Sequence, residues 1–226
     1  MHRVTEAARE IPRDDDNPPS WARWETVRPT QGAVGYVQVL AKSESFRALG
    51  TEEKRVFLRD EAVKVVHGPS DYFHVIDHHH WARAWFDMGL PEAPIDVVED
   101  LSGLADEDFL RTMSERGRFH TFNEHGHRIP LSELPKTIGE LPDDVYQSLA
   151  AFVRTAGVFE NPGEFNAKFA WADFFRQHVA LRKYTIDGFA LMLAEAFACS
   201  QRPEATKLPG FIYNRGNRDH DKTIQN

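Results

Sequence analysis

Along this chain, apolar residues recur at helical spacing in some stretches and gather into short β-branched runs in others. From Ala33 to Ala48, Val34, Val37, Leu40 and Ala41 follow a helical period, and Gly50 stops it. Thr51 reads as the N-cap of a second helix over 52–60, where Glu52 and Glu53 suit the positive end of the helix dipole. Val63 to Val66 reads as a strand, Gly68-Pro69-Ser70-Asp71 as a hairpin-type connection, and Tyr72 to Ile76 as a second strand. Asp77 closes that strand, and a helix follows at once over 78–88, stopped by Gly89 and Pro91. Residues 95–98 read as a third strand and 106–116 as a helix. Residues 117–141 read as an irregular loop carrying His120, His125 and His127. Beyond it the pattern is helical over 145–156, 171–183 and 186–198. The expected class is α/β (α+β), with a small mixed sheet early and a helical C-terminal half.

The domain reading follows from these elements. Residues 1–28 form a loose N-terminal arm, because Asp14-Asp15-Asp16-Asn17-Pro18-Pro19 resists regular structure. Trp21 and Trp24 are placed to pin that arm to the body. Residues 29–116 form an α/β core, 117–200 a helical part packed on it, and 201–226 a polar tail. No apolar run approaches the roughly 20 residues of a membrane span. The N-terminus lacks the pattern of a signal peptide. Cys199 is the single cysteine, which excludes an intrachain disulfide and a thiolate zinc cluster, so a cytoplasmic location is the default expectation. With a net charge of −8 and basic residues dispersed apart from Arg182-Lys183 and Arg215/Arg218, a long nucleic-acid groove is disfavoured. A small phosphorylated ligand needs only two or three positive groups, so acidity does not speak against it. Oligomeric state is not legible.

The richest stretch is Phe73-His74-Val75-Ile76-Asp77-His78-His79-His80-Trp81-Ala82-Arg83. A strand that runs directly into a helix leaves first-turn N–H groups without internal partners, at the positive end of the helix dipole. Such a turn suits an anion. At about 100° per residue, Trp81, Ala84, Trp85 and Met88 share one side, and His79, His80, Arg83 and Asp87 the opposite arc. His79 and Arg83, four apart, can act on one group; Arg83 offers a planar fork for phosphate. The expected phosphate-binding set is His78, His79, His80 and Arg83, completed by Lys42 and Gln31. The expected catalytic set is Asp77, His79 and His80, as acid, base or orienting groups. Each has a plainer reading. Asp77 is a good N-cap, the histidine run can be a surface feature, and Lys42 can be a solvated helix residue. A transition metal would use at most two of the three consecutive histidines, with His74 or His120 completing the set. His125-Gly126-His127 reads first as a polar loop, and the aromatic set Phe165, Phe169, Trp171, Phe174, Phe175 as core packing.

These residues carry a resemblance. A strand ending in Asp, then a His-His pair at a helix start, then a helix of small residues resembles the ParB/sulfiredoxin superfamily, which often shows D-G-x-H-R there. Pro29-Thr30-Gln31, Val34-Gly35, Lys42, Asp77-His78-His79-His80-Trp81-Ala82-Arg83-Ala84, Asp100-Leu101-Ser102-Gly103-Leu104, Trp171-Ala172-Asp173-Phe174-Phe175-Arg176 and Leu208-Pro209-Gly210 look like its ParB-like nuclease branch. The likeness covers about residues 25–212. It implies a small mixed sheet of the ParB/sulfiredoxin type and a helix-start motif that binds nucleotide phosphates. His78 stands where the motif usually has Gly, and Trp81 where it often has Arg; Arg83 can supply that charge. The cysteine of sulfiredoxins is missing from the motif. The expected function is a nucleotide-dependent phosphotransferase or phosphohydrolase acting on a small molecule, with ATP or another nucleotide and Mg²⁺ as cofactors. The alternatives are a metal-dependent ParB-like nuclease and a non-catalytic ligand-sensing or interaction protein.

Overall fold

The computed structural model describes residues 20–160 and 167–212. The chain divides into two compact units, Met1–Val145 and Tyr146–Asn226. The first holds a five-stranded mixed sheet in the order β1-β5-β3-β4-β2. Its strands are β1 (Ser20–Ala22), β2 (Val27–Arg28), β3 (Val63–His67), β4 (Phe73–Val75) and β5 (Ala93–Asp100). β3 and β4 are the antiparallel pair expected from the hairpin signal, with Val65 opposite Val75 and His67 opposite Phe73. β5 runs parallel to β3, which requires the crossover that α3 (His79–Asp87) provides.

Side-chain alternation gives the sheet two buried faces. Val65 and Val75 point into the main core, where Trp81 and Trp85 of α3 meet Val39 and Phe46 of α1 (Tyr36–Arg47) and Leu58 of α2 (Thr51–Asp60). Val66 points the other way, onto Phe109 and Met113 of α4 (Asp106–Glu115). The first nineteen residues of the expected loose arm lie outside the described residues. Residues 20–28 are ordered, because β1 and β2 add to β5 and β4 as edge strands. Trp24 fastens this stretch as expected: its indole N–H donates to Leu90 O at 2.8 Å and its ring meets Phe86 edge-on. Gly50 caps α2 in place of Thr51, and Glu53 accepts the Gly50 N–H at 2.7 Å.

The second unit carries most of α5 (Val145–Thr155), with α6 (Ala167–His178) and α7 (Ile186–Cys199). α6 sits four residues earlier than the pattern suggested. Its run ends because the Tyr146 hydroxyl donates to Val179 O, a carbonyl that a longer helix would have used internally. Phe169, Trp171, Phe174 and Phe175 are core residues, with Trp171 stacked on Phe159 at 4.3 Å; Phe165 lies outside the described residues. The tail is ordered as far as 212: Pro203–Lys207 forms a 3-10 turn, and Trp171 donates to Pro209 O. Arg215 and Arg218 lie outside the described residues. Among the described residues no helix is long and apolar enough to cross a membrane.

Candidate functional site

The turn between β4 and α3 is built on an unusual backbone. His78 is the N-cap of α3 and has φ 66° and ψ 26°, in the left-handed region. That conformation is easy for Gly and costs a side-chain-bearing residue about 1 kcal/mol or more. It accounts for the glycine that the resemblance leads one to expect at this position. The expected cap, Asp77, lies one residue too early; its Oδ1 accepts the His78 N–H at 2.7 Å instead. The ring of His78 folds back toward α2. Its Nδ1 lies 3.0 Å from Glu61 O and 3.1 Å from Ala62 O, acceptors that fix the proton on Nδ1. Its Nε2 faces two carboxylates, Glu61 Oε2 at 3.8 Å and Asp77 Oδ2 at 4.0 Å. These gaps are too long for direct hydrogen bonds. The Asp77 side chain is 62% exposed, so the group opens to solvent.

Glu61 was missed in the sequence reading, although the hairpin held the signal. Continuing the register of Val65 opposite Val75 outward by three residues sets Ala62 opposite His78, which brings Glu61 beside the turn.

The next two histidines turn inward, so the polar stripe read from the helical wheel is not a solvent-facing one. His79 and His80 are 4% and 5% exposed, because the segment 30–35 lies over them. The Thr30 N–H donates to His79 Nε2 at 3.1 Å, and the Gly35 N–H donates to His80 Nε2 at 2.9 Å. A ring nitrogen that accepts a backbone N–H carries no proton, so both rings are Nδ1–H tautomers. They hold the 30–35 segment against the start of α3. At the start of α1, the Tyr36 N–H donates to Asp143 Oδ1 at 2.7 Å, so a carboxylate already sits at that helix end.

The other expected phosphate ligands each have partners of their own. Arg83 grips Asp87 through Nε at 2.8 Å and donates Nη1 to Leu141 O at 2.7 Å, tying α3 to the segment 138–141. Lys42 Nζ lies 3.9 Å from the ring centre of Trp81. Gln31 is buried and donates to Ala33 O at 2.9 Å. His120 bridges to Gln31 in the backbone, where Gly32 N–H meets His120 O at 3.1 Å. His74 lies on the opposite sheet face, tilted against the Phe109 ring. Burial and the neighbouring Arg28 guanidinium push its pKa down to about 4, so it is neutral. His125 and His127 occupy a turn whose N–H groups both donate to Asn123 Oδ1. Among the described residues, no three His, Cys, Asp or Glu side chains converge as a metal cage.

Comparison with known proteins places this geometry. A family model described as "Putative ParB-like nuclease" matches residues 22–177, which is more than half of the chain. The chain belongs to that family. The matched span holds the whole sheet past β1, the Asp77 turn and the 30–35 segment that His79 and His80 secure. Among solved structures, the chain is similar to protein Atu1540 from Agrobacterium tumefaciens. The two share 34% identity with a TM-score of 0.76, over 85% of this chain and 95% of that one. No curated protein matches. Membership in the ParB-like nuclease family bears out the resemblance read from the motif, while ATP-dependent phosphotransfer receives nothing from these comparisons.

Proposed function

We propose that the chain hydrolyses a phosphodiester at the Asp77–His78–Glu61 group. The observation that carries this reading is the position of His78 Nε2, which lies 3.8 Å from Glu61 Oε2 and 4.0 Å from Asp77 Oδ2 at a helix start. With its proton held on Nδ1, the ring offers Nε2 as a base. A water hydrogen-bonded to Nε2 from the solvent side gives its proton to Nε2 as its oxygen attacks phosphorus. The P–O ester bond breaks, and the leaving oxygen takes a proton from solvent. The positive end of the α3 dipole favours the negative phosphoryl oxygens. Asp77 and Glu61 would be the residues to hold Mg²⁺, offering hard oxygen ligands with water and a substrate phosphate completing its shell. Bound there, such an ion would neutralise charge on the phosphate.

The test is hydrolysis of bis-p-nitrophenyl phosphate and of a short single-stranded DNA by the full chain, with Mg²⁺ or Mn²⁺. Asp77→Asn and Glu61→Gln are each expected to lower kcat by at least about 100-fold with the circular dichroism unchanged. His78→Gly relaxes the left-handed turn and removes the base, so it should lose activity without losing stability. Absence of turnover on both substrates, or full activity in these variants, overturns the reading.

A second reading keeps the phosphate and drops the nucleic acid. The net charge of −8 suits a small phosphorylated ligand, such as a nucleotide with Mg²⁺, better than a long polyanion. Nucleotide binding that is lost in His78→Gly, with no phosphodiester turnover, would select it.

A further inference from the structure

β5 is paired along only part of its outer edge. On the inner side it follows β3 from Ile95 to Asp100. On the outer side β1 covers Ala93, Pro94 and Ile95, through Ala22, Trp21 and Ser20. Beyond Ile95 the outer edge has no strand neighbour among the described residues. Asp96 and Asp100 are exposed, and so are two adjacent valines, Val97 at 40% and Val98 at 45%. A bulge lies here, because Val65 faces Val97 while Val66 faces Glu99. The Glu99 carboxylate is held by Arg116 and Arg118 on the same unit. What remains toward solvent is a row of backbone N–H and C=O groups, two valines, the carboxylate of Asp96 and the exposed carboxylate of Asp100, which also accepts the Ser102 N–H at 2.9 Å and lies 3.3 Å from His67 Nδ1. An open edge of this kind is a template for strand addition.

Charge and register decide what fits it. The residues that precede β1 in sequence are Asp14-Asp15-Asp16-Asn17-Pro18-Pro19. Prolines have no N–H to give a ladder, and like charges directly opposed are unfavourable. The chain's own preceding residues are therefore a poor complement. A second copy is no better, since an antiparallel β5–β5 pair centred on Val98 sets Asp96 opposite Asp100. We propose that the β5 edge from Asp96 to Asp100 docks an extended segment of a partner protein in which cationic and small apolar residues alternate. Lysine or arginine would then face the acidic positions, and the apolar residues would cover Val97 and Val98.

The probe is a dye-labelled heptapeptide of alternating Lys and Val, followed by fluorescence anisotropy on the full chain. Two control peptides separate the causes: one with its central Val replaced by Pro at the same charge, and one with Glu in place of Lys. Binding is expected for the Lys-Val peptide alone. It should weaken at least tenfold at about 0.5 M salt. Asp96→Lys/Val98→Lys should abolish it while the circular dichroism and thermal midpoint stay unchanged. Hydrogen exchange should show the amides of 96–100 open in the chain alone and protected by the peptide. Absence of binding, or equal binding of the Pro peptide or by the double variant, overturns the proposal. Two further results do the same. Slow exchange of these amides in the monomer alone means that the chain covers its own edge, and a dimer dissolved by the double variant means that a second copy does.

Discussion

His74 sits under Arg28 and against Phe109, and the space above Gly68 is filled by its ring. An imidazole so placed folds neutral and must be charged only in the unfolded chain. Its folded pKa of about 4 lies below the ordinary 6.5, so the unfolded state binds the extra proton between those values. The stability it contributes is complete above about pH 6.5 and is lost as pH falls through about 4. A shift of this size is worth up to about 3 kcal/mol. Urea unfolding of the wild type should therefore weaken steadily from pH 6.5 to 4, and His74→Asn should flatten that part of the profile. Glu99 titrates below its ordinary range because Arg116 and Arg118 hold it, so its loss belongs to a more acid step. His79 and His80 make a contrasting use of the same side chain. Each spends Nε2 on one backbone N–H, which turns two consecutive histidines into connectors of chain segments.

Those connectors matter because the start of α3, the 30–35 segment and the loop 117–144 hold one another. Gly32 lies at the tightest point: a Cβ there would come within 2.2 Å of the Phe122 carbonyl oxygen, a backbone atom that cannot step aside. Gly32→Ala should cost about 1–3 kcal/mol in urea unfolding, as an overpacked contact does. Gly103→Ala, with nothing within 4 Å, should change stability by no more than about 0.5 kcal/mol. The same segments show what a sequence can reveal. The β3–β4 hairpin and the helix after it were legible, because β-branched runs, a Pro-Ser-Asp turn and a Gly stop all agree locally. β1 and β2 were not, since strands of three and two residues exist only through β5 and β4. The turn at Asp77 was legible as a strand running directly into a helix, but the direction of its rings was not. Helical spacing orders side chains around an axis and is silent on which loop lies over them, so it put His79 and His80 on a polar arc without telling pocket from solvent. Glu61 was recoverable from the strand register alone.

At the scale of the whole molecule, charge sets the reach of any phosphodiester-binding site. The chain carries −8, and many described arginines are committed to carboxylates: Arg47 to Glu44, Arg83 to Asp87, Arg111 to Asp108, Arg182 to Glu195. Arginines paired in this way displace fewer counterions from a long strand, and on the proposed reading the α3 turn would hold one phosphate and its nearest neighbour. Binding of a single-stranded oligonucleotide should then show a salt slope of about −1 to −2 in log K against log salt, the value for one to three phosphates. Lengthening the strand from two to twelve nucleotides should add little affinity. A phosphorothioate dinucleotide with Mg²⁺, at about 100 times its dissociation constant, should add roughly 2.7 kcal/mol and raise the thermal midpoint of the full chain by about 5–10 °C. A slope of about −5 or steeper would require a continuous basic track on this acidic chain, and would move the substrate contact away from the Asp77 turn.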